Sequence, residues 1–197
     1  MSDITIREMI NEDCYKVAEI HINVLSDDFL PSLGINFLHR GYYQTSLNNP
    51  YGKVIVAIRD DHIVGFVNVM ADPEAYIPYV IRKSWLLLIS ALLKLFIQYP
   101  LRFIEGIAIS RTKRPMQSGV GEIAFIAVEP ASQRQGIGFK LIDAANKYFA
   151  TLGVRRACTK TLDSNKHVFS MYKRIGAHVV GNVAILKKKY TYLEWRI

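Results

Sequence analysis

The sequence predicts an α/β fold: a mixed, mostly antiparallel central sheet of about seven strands, flanked by helices and carrying an apolar helical insertion. Three observations carry this. Half of the 197 residues are hydrophobic and 21% are charged, so a sizeable core is available to a single domain spanning residues 1–197. Apolar runs with strand character alternate with runs of helical spacing along the chain. Their order is strand, two helices, hairpin, insertion, then strand, helix, strand, helix and two strands.

The first strand is "ITIRE" at residues 4–8, where apolar and polar residues alternate. From Asp13 onward, Val17, Ala18, Ile20, His21, Val24 and Leu25 fall at helical spacing. "SDDFLPSLG" reads as a loop with apolar members. "INFLHRGYYQTSL" reads as a second helix, ended by "NNPYGK". In "KVIVAIRDDHIVGFVNVMAD" two β-branched runs flank a charged turn at Asp60–His62, the pattern of a hairpin. Their continuous apolar character predicts strands covered on both faces.

Residues 76–118 form the insertion. "VIRKSWLLLISALLKLFIQYP" is a helix signal ended by Pro100, and "EGIAISRTKRPMQSG" after it is basic and turn-rich. "GEIAFIAVEP" then resumes the sheet. "FKLIDAANKYFATLG" puts Leu141, Ile142, Ala145, Phe149 and Leu152 on one helical face, with Gly153 as its stop. "RRACTKTLDSN" is a strand ending in a capping cluster, "KHVFSMYKRIG" a short helix stopped by Gly176, and "AHVVGNVAILKKKYTYLEWRI" two closing strands. The strands on either side of the 139–152 helix should be parallel, joined by a right-handed crossover.

Composition narrows the function. The net charge of +8 favours polyanionic partners, such as phosphorylated cofactors or an anionic membrane. Cys14 and Cys158 lie far apart without a CxxC, which fits a reducing compartment. The N-terminus has no apolar signal region, so a cytoplasmic protein is expected. The five histidines form no HExxH or other ligand spacing, so no metal is expected. No aromatic RNA-binding pattern or zinc finger points to nucleic acid.

"QRQGIG", at residues 133–138, stands between a buried strand and a helix N-terminus. Unpaired N–H groups point outward there and the helix dipole favours an anion. Glycines would let a phosphate reach the backbone; the alternative is a plain turn. No GK[ST] follows, so the stretch is not a Walker A loop. The third glycine of a dinucleotide fingerprint would fall at Leu141, so it is not that either.

Residues 128–142, "VEPASQRQGIGFKLI", resemble the acetyl-CoA-binding motif of the GNAT acetyltransferases, Q/R-x-x-G-x-G/A, through Gln133, Gly136 and Gly138. "NKHVFSMYKRIGA" is similar to that family's N-x(6)-Y-x-x-x-G-F/A segment through Asn165, Tyr172, Gly176 and Ala177; phenylalanine is commoner at the last position. The resemblance covers about residues 1–72 and 119–197 and implies a GNAT-like sheet. It implies that the coenzyme A pyrophosphate rests on the amides of Arg134, Gln135, Gly136, Ile137, Gly138 and Phe139. The pantetheine arm would pair with the backbone of Ile126, Ala127 and Val128, and Asn165 would hydrogen-bond that arm. The alternative for Asn165 is a helix N-cap, and both can hold.

Acetyl transfer from a thioester needs a neutral amine and benefits from a proton for the leaving thiolate. By resemblance Tyr172 is the candidate acid; otherwise it is a core tyrosine packed with Val168 and Ile175. Glu122, at the start of an apolar strand, is the candidate base. A partly apolar cleft suits a base working near neutral pH. The alternatives are a solvated strand-end glutamate, with a water chain in its place. In this family the acceptor site comes from the first two helices and the last strand pair, here an aromatic stretch and the lysines Lys187, Lys188 and Lys189. These readings imply an acetyl-CoA-dependent N-acetyltransferase acting on a small-molecule primary amine, such as an amino sugar or a nucleotide-linked amino sugar. A protein N-terminus or lysine is the alternative acceptor, and a non-catalytic coenzyme A-binding module the alternative class.

From Trp85 to Phe96 only Ser90 and Lys94 are polar. Twelve helical residues rise about 18 Å, short of a hydrocarbon core of about 30 Å, so no transmembrane span is expected. The insertion could pack on the domain, form a homodimer contact, or lie on a membrane surface with Arg82, Lys83, Lys94 and Arg102 at its margins.

Overall fold

The structure, a computed structural model, describes residues 3–112, 119–186 and 188–197. Seven strands form one sheet: β1 (Thr5–Glu8), β2 (Gly52–Arg59), β3 (His62–Met70), β4 (Gly121–Val128), β5 (Arg156–Leu162), β6 (His178–Ile185) and β7 (Lys188–Arg196). Their spatial order is β1-β2-β3-β4-β5-β7-β6. Every neighbouring pair is antiparallel except β4 and β5, which are parallel. The mixed, mostly antiparallel sheet read from the sequence is therefore present. The last strand, β7, inserts between β5 and β6.

Helices cover both faces. On one face α1 (Cys14–Val24) buries Val17, Ala18, Ile20 and His21. Beside it, a π-helical turn at Phe37–Tyr43 runs into α2 (Gln44–Ser46) and buries Phe37, Tyr42 and Tyr43. The helix expected over "INFLHRGYYQTSL" is thus wound wider than an α-helix at its centre, and the expected loop before it holds a 3₁₀ turn at Leu30–Leu33. On the other face α5 (Ile137–Thr151) packs Ile137, Leu141, Ile142, Ala145 and Phe149 against Ile123, Leu193 and Trp195. Leu152, expected on this face, is half-exposed because the helix ends at Thr151 and the chain turns left-handed at Gly153. The short helix α6 (Lys166–Arg174) follows β5 and packs Tyr172 against Trp195 of β7.

The β2–β3 turn is tighter than expected. Asp60 and Asp61 both have positive φ, the backbone of a two-residue hairpin turn, and His62 already belongs to β3. The hairpin is buried on both faces, as its continuous apolar runs predict.

The insertion also differs in its second half. Helix α3 (Pro73–Gln98) begins earlier than residue 76, with the Asp72 carboxylate accepting from the amides of Glu74 (3.0 Å) and Ala75 (3.1 Å). Where the sequence reads as turn-rich, a further helix, α4 (Pro100–Arg111), is found. Pro100 stops one helix and starts the next, since its fixed φ and missing N–H fit a first turn. Residues 113–118 of the expected turn region lie outside the described residues, as does Lys187.

Candidate active site

Strands β4 and β5 pair only along Gly121–Ile123 and Ala157–Thr159. Beyond that they part. β4 stays with β3 as far as Val128, and β5 stays with β7 as far as Leu162. Ala124 has no partner on β3, between Phe125 opposite Asn68 and Ile123 opposite Val69. This one-residue bulge sits where the parting begins, and bulges increase local twist. A gap opens between the strands, and the β4 backbone from Ala124 to Val128 faces it without a strand partner on that side. Ile126, Ala127 and Val128 therefore offer a free strand edge, the arrangement expected for the pantetheine arm.

At the far end of β4 the chain turns into α5. The backbone is left-handed at Arg134 (φ 60°) and again at Gly136 (φ 79°), the helix N-cap. Alternating turns of this kind aim successive N–H groups into one concavity. Among the described residues no backbone carbonyl accepts from the amides of residues 134–139, whereas Lys140 donates to the Gly136 carbonyl at 3.2 Å. Gln133 and Gln135 hold the loop by side-chain bonds to the carbonyls of Val128 (2.9 Å) and Ala131 (3.2 Å). A Cβ on Gly138 would stand 3.0 Å from Met171 Sδ, so the glycine keeps the space between α5 and α6 open. Arg59, from the end of β2, donates to Gln135 Oε1 at 2.5 Å and sets a guanidinium beside the loop. A concave row of unpaired amides flanked by a cation fits a pyrophosphate.

α6 supplies the other wall. Asn165 is its N-cap, accepting from Val168 N–H at 3.3 Å, and it also lines the gap. The cap reading and the cleft reading therefore coexist. Tyr172 lines the gap too, yet its side chain is fully buried, with its ring 5.2 Å from that of Trp195. Its hydroxyl is buried and makes no well-formed hydrogen bond among the described residues, with Thr159 as its polar neighbour. Burial raises its pKa well above the ordinary phenol value, and Thr159 opposes this. A phenol held protonated in the wall of a cleft can serve as a proton donor.

Glu122 is buried, opposite Met70 on β3 and Cys158 on β5. It sits before the bulge and is not among the described residues that line the gap. Its charge is felt by Tyr42, whose pKa is raised by burial first, then by Tyr76, Tyr43 and Glu122. Tyr42 donates to Asn68 Oδ1 (2.7 Å), and Asn68 donates to Tyr76 Oη (3.0 Å). Glu122 thus stands beside a buried polar network rather than in the open cleft.

The sequence reading missed the acidic end of the gap. Asp27 and Asp28 line it just after α1, with Tyr190 of β7 and Lys160 of β5. Burial raises the pKa of Asp28, with Lys160 and Lys188 opposing, and burial with the Asp28 charge pushes Tyr190 up to about 12. The signal was present: "SDDF" is an acid pair in a basic chain. α4 closes this end. Arg102 donates to the Asp27 carbonyl at 3.3 Å, and the site of a Cβ on Gly106 is occupied by the Phe29 ring. Glu105 pairs with Arg102 (2.9 Å) and with Lys188 (2.7 Å). Lys188, grouped with the basic run at the acceptor site, is therefore committed to a carboxylate. Among the described residues no cluster of histidine, cysteine or acidic side chains could hold a metal.

The model of the acetyltransferase (GNAT) family matches residues 21–177. No curated protein matches the sequence. The chain resembles an N-acetyltransferase from Staphylococcus aureus Mu50, with a TM-score of 0.66 at 12% identity over 99% of each chain. It also resembles the ribosomal-protein-S18-alanine N-acetyltransferase of Escherichia coli, with a TM-score of 0.64 at 11% identity, over 99% of this chain and 94% of that one. A third solved structure, the paia N-acetyltransferase of Thermoplasma acidophilum in complex with coenzyme A, gives a TM-score of 0.62 at 14% identity over 99% of each chain. At these identities the likeness is one of fold.

Proposed function

This chain belongs to the GNAT acetyltransferase family, and from that premise we propose that it transfers the acetyl group of acetyl-CoA directly to the primary amine of a small molecule. The observation that carries the proposal is the gap between β4 and β5, with an amide cradle at one end and Tyr172 in its wall. Acetyl-CoA supplies an activated acetyl thioester. The amides of residues 134–139 hold its pyrophosphate, the free edge of Ile126–Val128 orients its arm, and Asn165 hydrogen-bonds that arm. Tyr172 gives a proton to the departing sulfur. Glu122 takes the proton of the acceptor amine through a water chain, since it stands back from the gap.

The acidic end favours a cationic acceptor. An alkyl amine is protonated at neutral pH, and the Asp27–Asp28 pair offers that ammonium a carboxylate before it is deprotonated for attack. Asp27, Asp28, Lys160 and Tyr190 wall in this end, which favours a small acceptor, such as a simple amine or an amino sugar, over a protein N-terminus or lysine. Lys188, paired to Glu105, is not set aside for a nucleotide diphosphate.

The test is thiol release from acetyl-CoA across small amines, amino sugars, nucleotide-linked amino sugars and peptides, with products identified by mass spectrometry. Turnover confined to small cationic amines is the expected result. Turnover of peptides alone would replace the acceptor assignment, and binding of coenzyme A without turnover of any amine would make the chain a binding module.

A further inference from the structure

More than half of the exposed large hydrophobic side chains lie on α3, α4 and the corner between them. α3 kinks at Ser84, where the backbone leaves helical φ/ψ; Ile81 is exposed before the kink, and Trp85, Ile89, Leu93 and Ile97, all exposed, recur every fourth residue after it. The corner continues the apolar surface: Ile97 is 77% exposed and Leu101 79%. The inner side of the insertion is satisfied, with Leu95 buried and Phe103 packed on the core. What remains is an outward apolar stripe without a partner among the described residues.

The charge around it identifies the partner. Between Ala75 and Ile104 there are four cations, Arg82, Lys83, Lys94 and Arg102, and no acidic residue. Arg102 is occupied by Glu105, which is itself buried. Arg82 and Lys83 lie over the Tyr79 ring, at 5.9 and 6.0 Å from its centroid. The exposed charge along this stripe is therefore positive only. A symmetric contact between two copies would set these cations against one another. An anionic lipid surface takes both the cations and the apolar side chains between them. Among the described residues no helix is long and apolar enough to cross a membrane.

We propose that α3 and α4 form an interfacial membrane-binding element that lays the Ile81–Leu101 stripe into the headgroup region of an anionic bilayer. Trp85 enters the interface, with Arg82, Lys83 and Lys94 meeting the lipid phosphates. Because α4 packs against Asp27 and Phe29 at the acidic end of the transfer gap, docking would hold that end close to the lipid surface.

Sedimentation of the full chain with vesicles tests this, using phosphatidylglycerol–phosphatidylcholine mixtures against pure phosphatidylcholine. Trp85 is 52% exposed and the other tryptophan, Trp195, 1%, so emission reports on Trp85. A blue shift with anionic vesicles, absent in Trp85→Phe, is expected. Each cation near the surface is worth about a fivefold change in partition. Replacing Arg82, Lys83 and Lys94 by glutamine should therefore weaken binding about a hundredfold. Ile97→Glu with Leu101→Glu should abolish it, while acetyl-CoA binding by calorimetry certifies the fold. Equal binding to pure phosphatidylcholine, or vesicle binding unchanged in these variants, overturns the proposal. A protein that ignores vesicles and forms a dimer that Ile97→Glu disrupts would make the stripe a self-association surface instead.

Discussion

Thr159 Oγ1 donates to the Ile123 carbonyl at 2.9 Å, and this bond is the last tie between β4 and β5 before the two strands part. The free β4 edge, the α5 cradle, Tyr172 and the acidic end all lie beyond it, while Glu122, the proposed base, stands just before it. The geometry follows from β-sheet physics. A bulge at Ala124 breaks register just where pairing stops, and twisted strands that lose their ladder diverge.

The cradle is tested by Gly138→Val. The branched side chain would crowd Met171 and fill the space where the backbone is to meet the pyrophosphate. Acetyl-CoA affinity should fall by tenfold or more, about 1.4 kcal/mol, with the melting temperature little changed because Met171 is flexible. Calorimetry with unchanged affinity would return the loop to a plain turn.

The base is tested by Glu122→Gln, a nearly isosteric change. If Glu122 takes the amine proton, the acidic limb of the kcat/KM profile should disappear. The remaining rate should be lower by about 10²-fold and rise with pH as more acceptor is already neutral. A variant with a lower melting temperature and an unchanged profile would show that Glu122 only ties the strand to the polar network around Tyr42.

Asp28 separates binding from stability. Its folded pKa is raised, chiefly by burial, so the folded state holds its proton more tightly than the unfolded chain does. Stability should therefore fall as pH rises from the ordinary carboxylate value through the raised one. Asp28→Asn removes that penalty and should melt higher than wild type at neutral pH. It should also raise KM for the amine about tenfold, the scale of one hydrogen bond to a charged group. A lower melting temperature with an unchanged KM would show that Asp28 serves Lys160 and Lys188 rather than an acceptor.

Much of the fold was legible because its signals are local. The β2–β3 hairpin announces itself by two β-branched runs around Asp60–Asp61, and α5 by the spacing of Leu141, Ile142, Ala145 and Phe149. The cradle was legible because glycine pattern, strand and helix N-terminus are contiguous. What failed was non-local or double-edged. Pro100 ends one helix and opens another, and only packing against Phe29 shows that "EGIAIS" stays helical. The place of β7 between β5 and β6 depends on sheet pairing. Asp28, Lys160, Glu105 and Lys188 come from four separate elements, so no window of sequence contains their cluster.

The central claim is that the buried hydroxyl of Tyr172 protonates the leaving sulfur in this gap. The most direct measurement is single-turnover acetyl transfer by Tyr172→Phe, which keeps the ring against Trp195 and removes only the proton. The claim predicts a rate of transfer lower by about 10²-fold or more, with acetyl-CoA affinity and melting temperature close to wild type. A rate near wild type, with the chemical step shown to limit turnover, would contradict it and leave Tyr172 as a core residue.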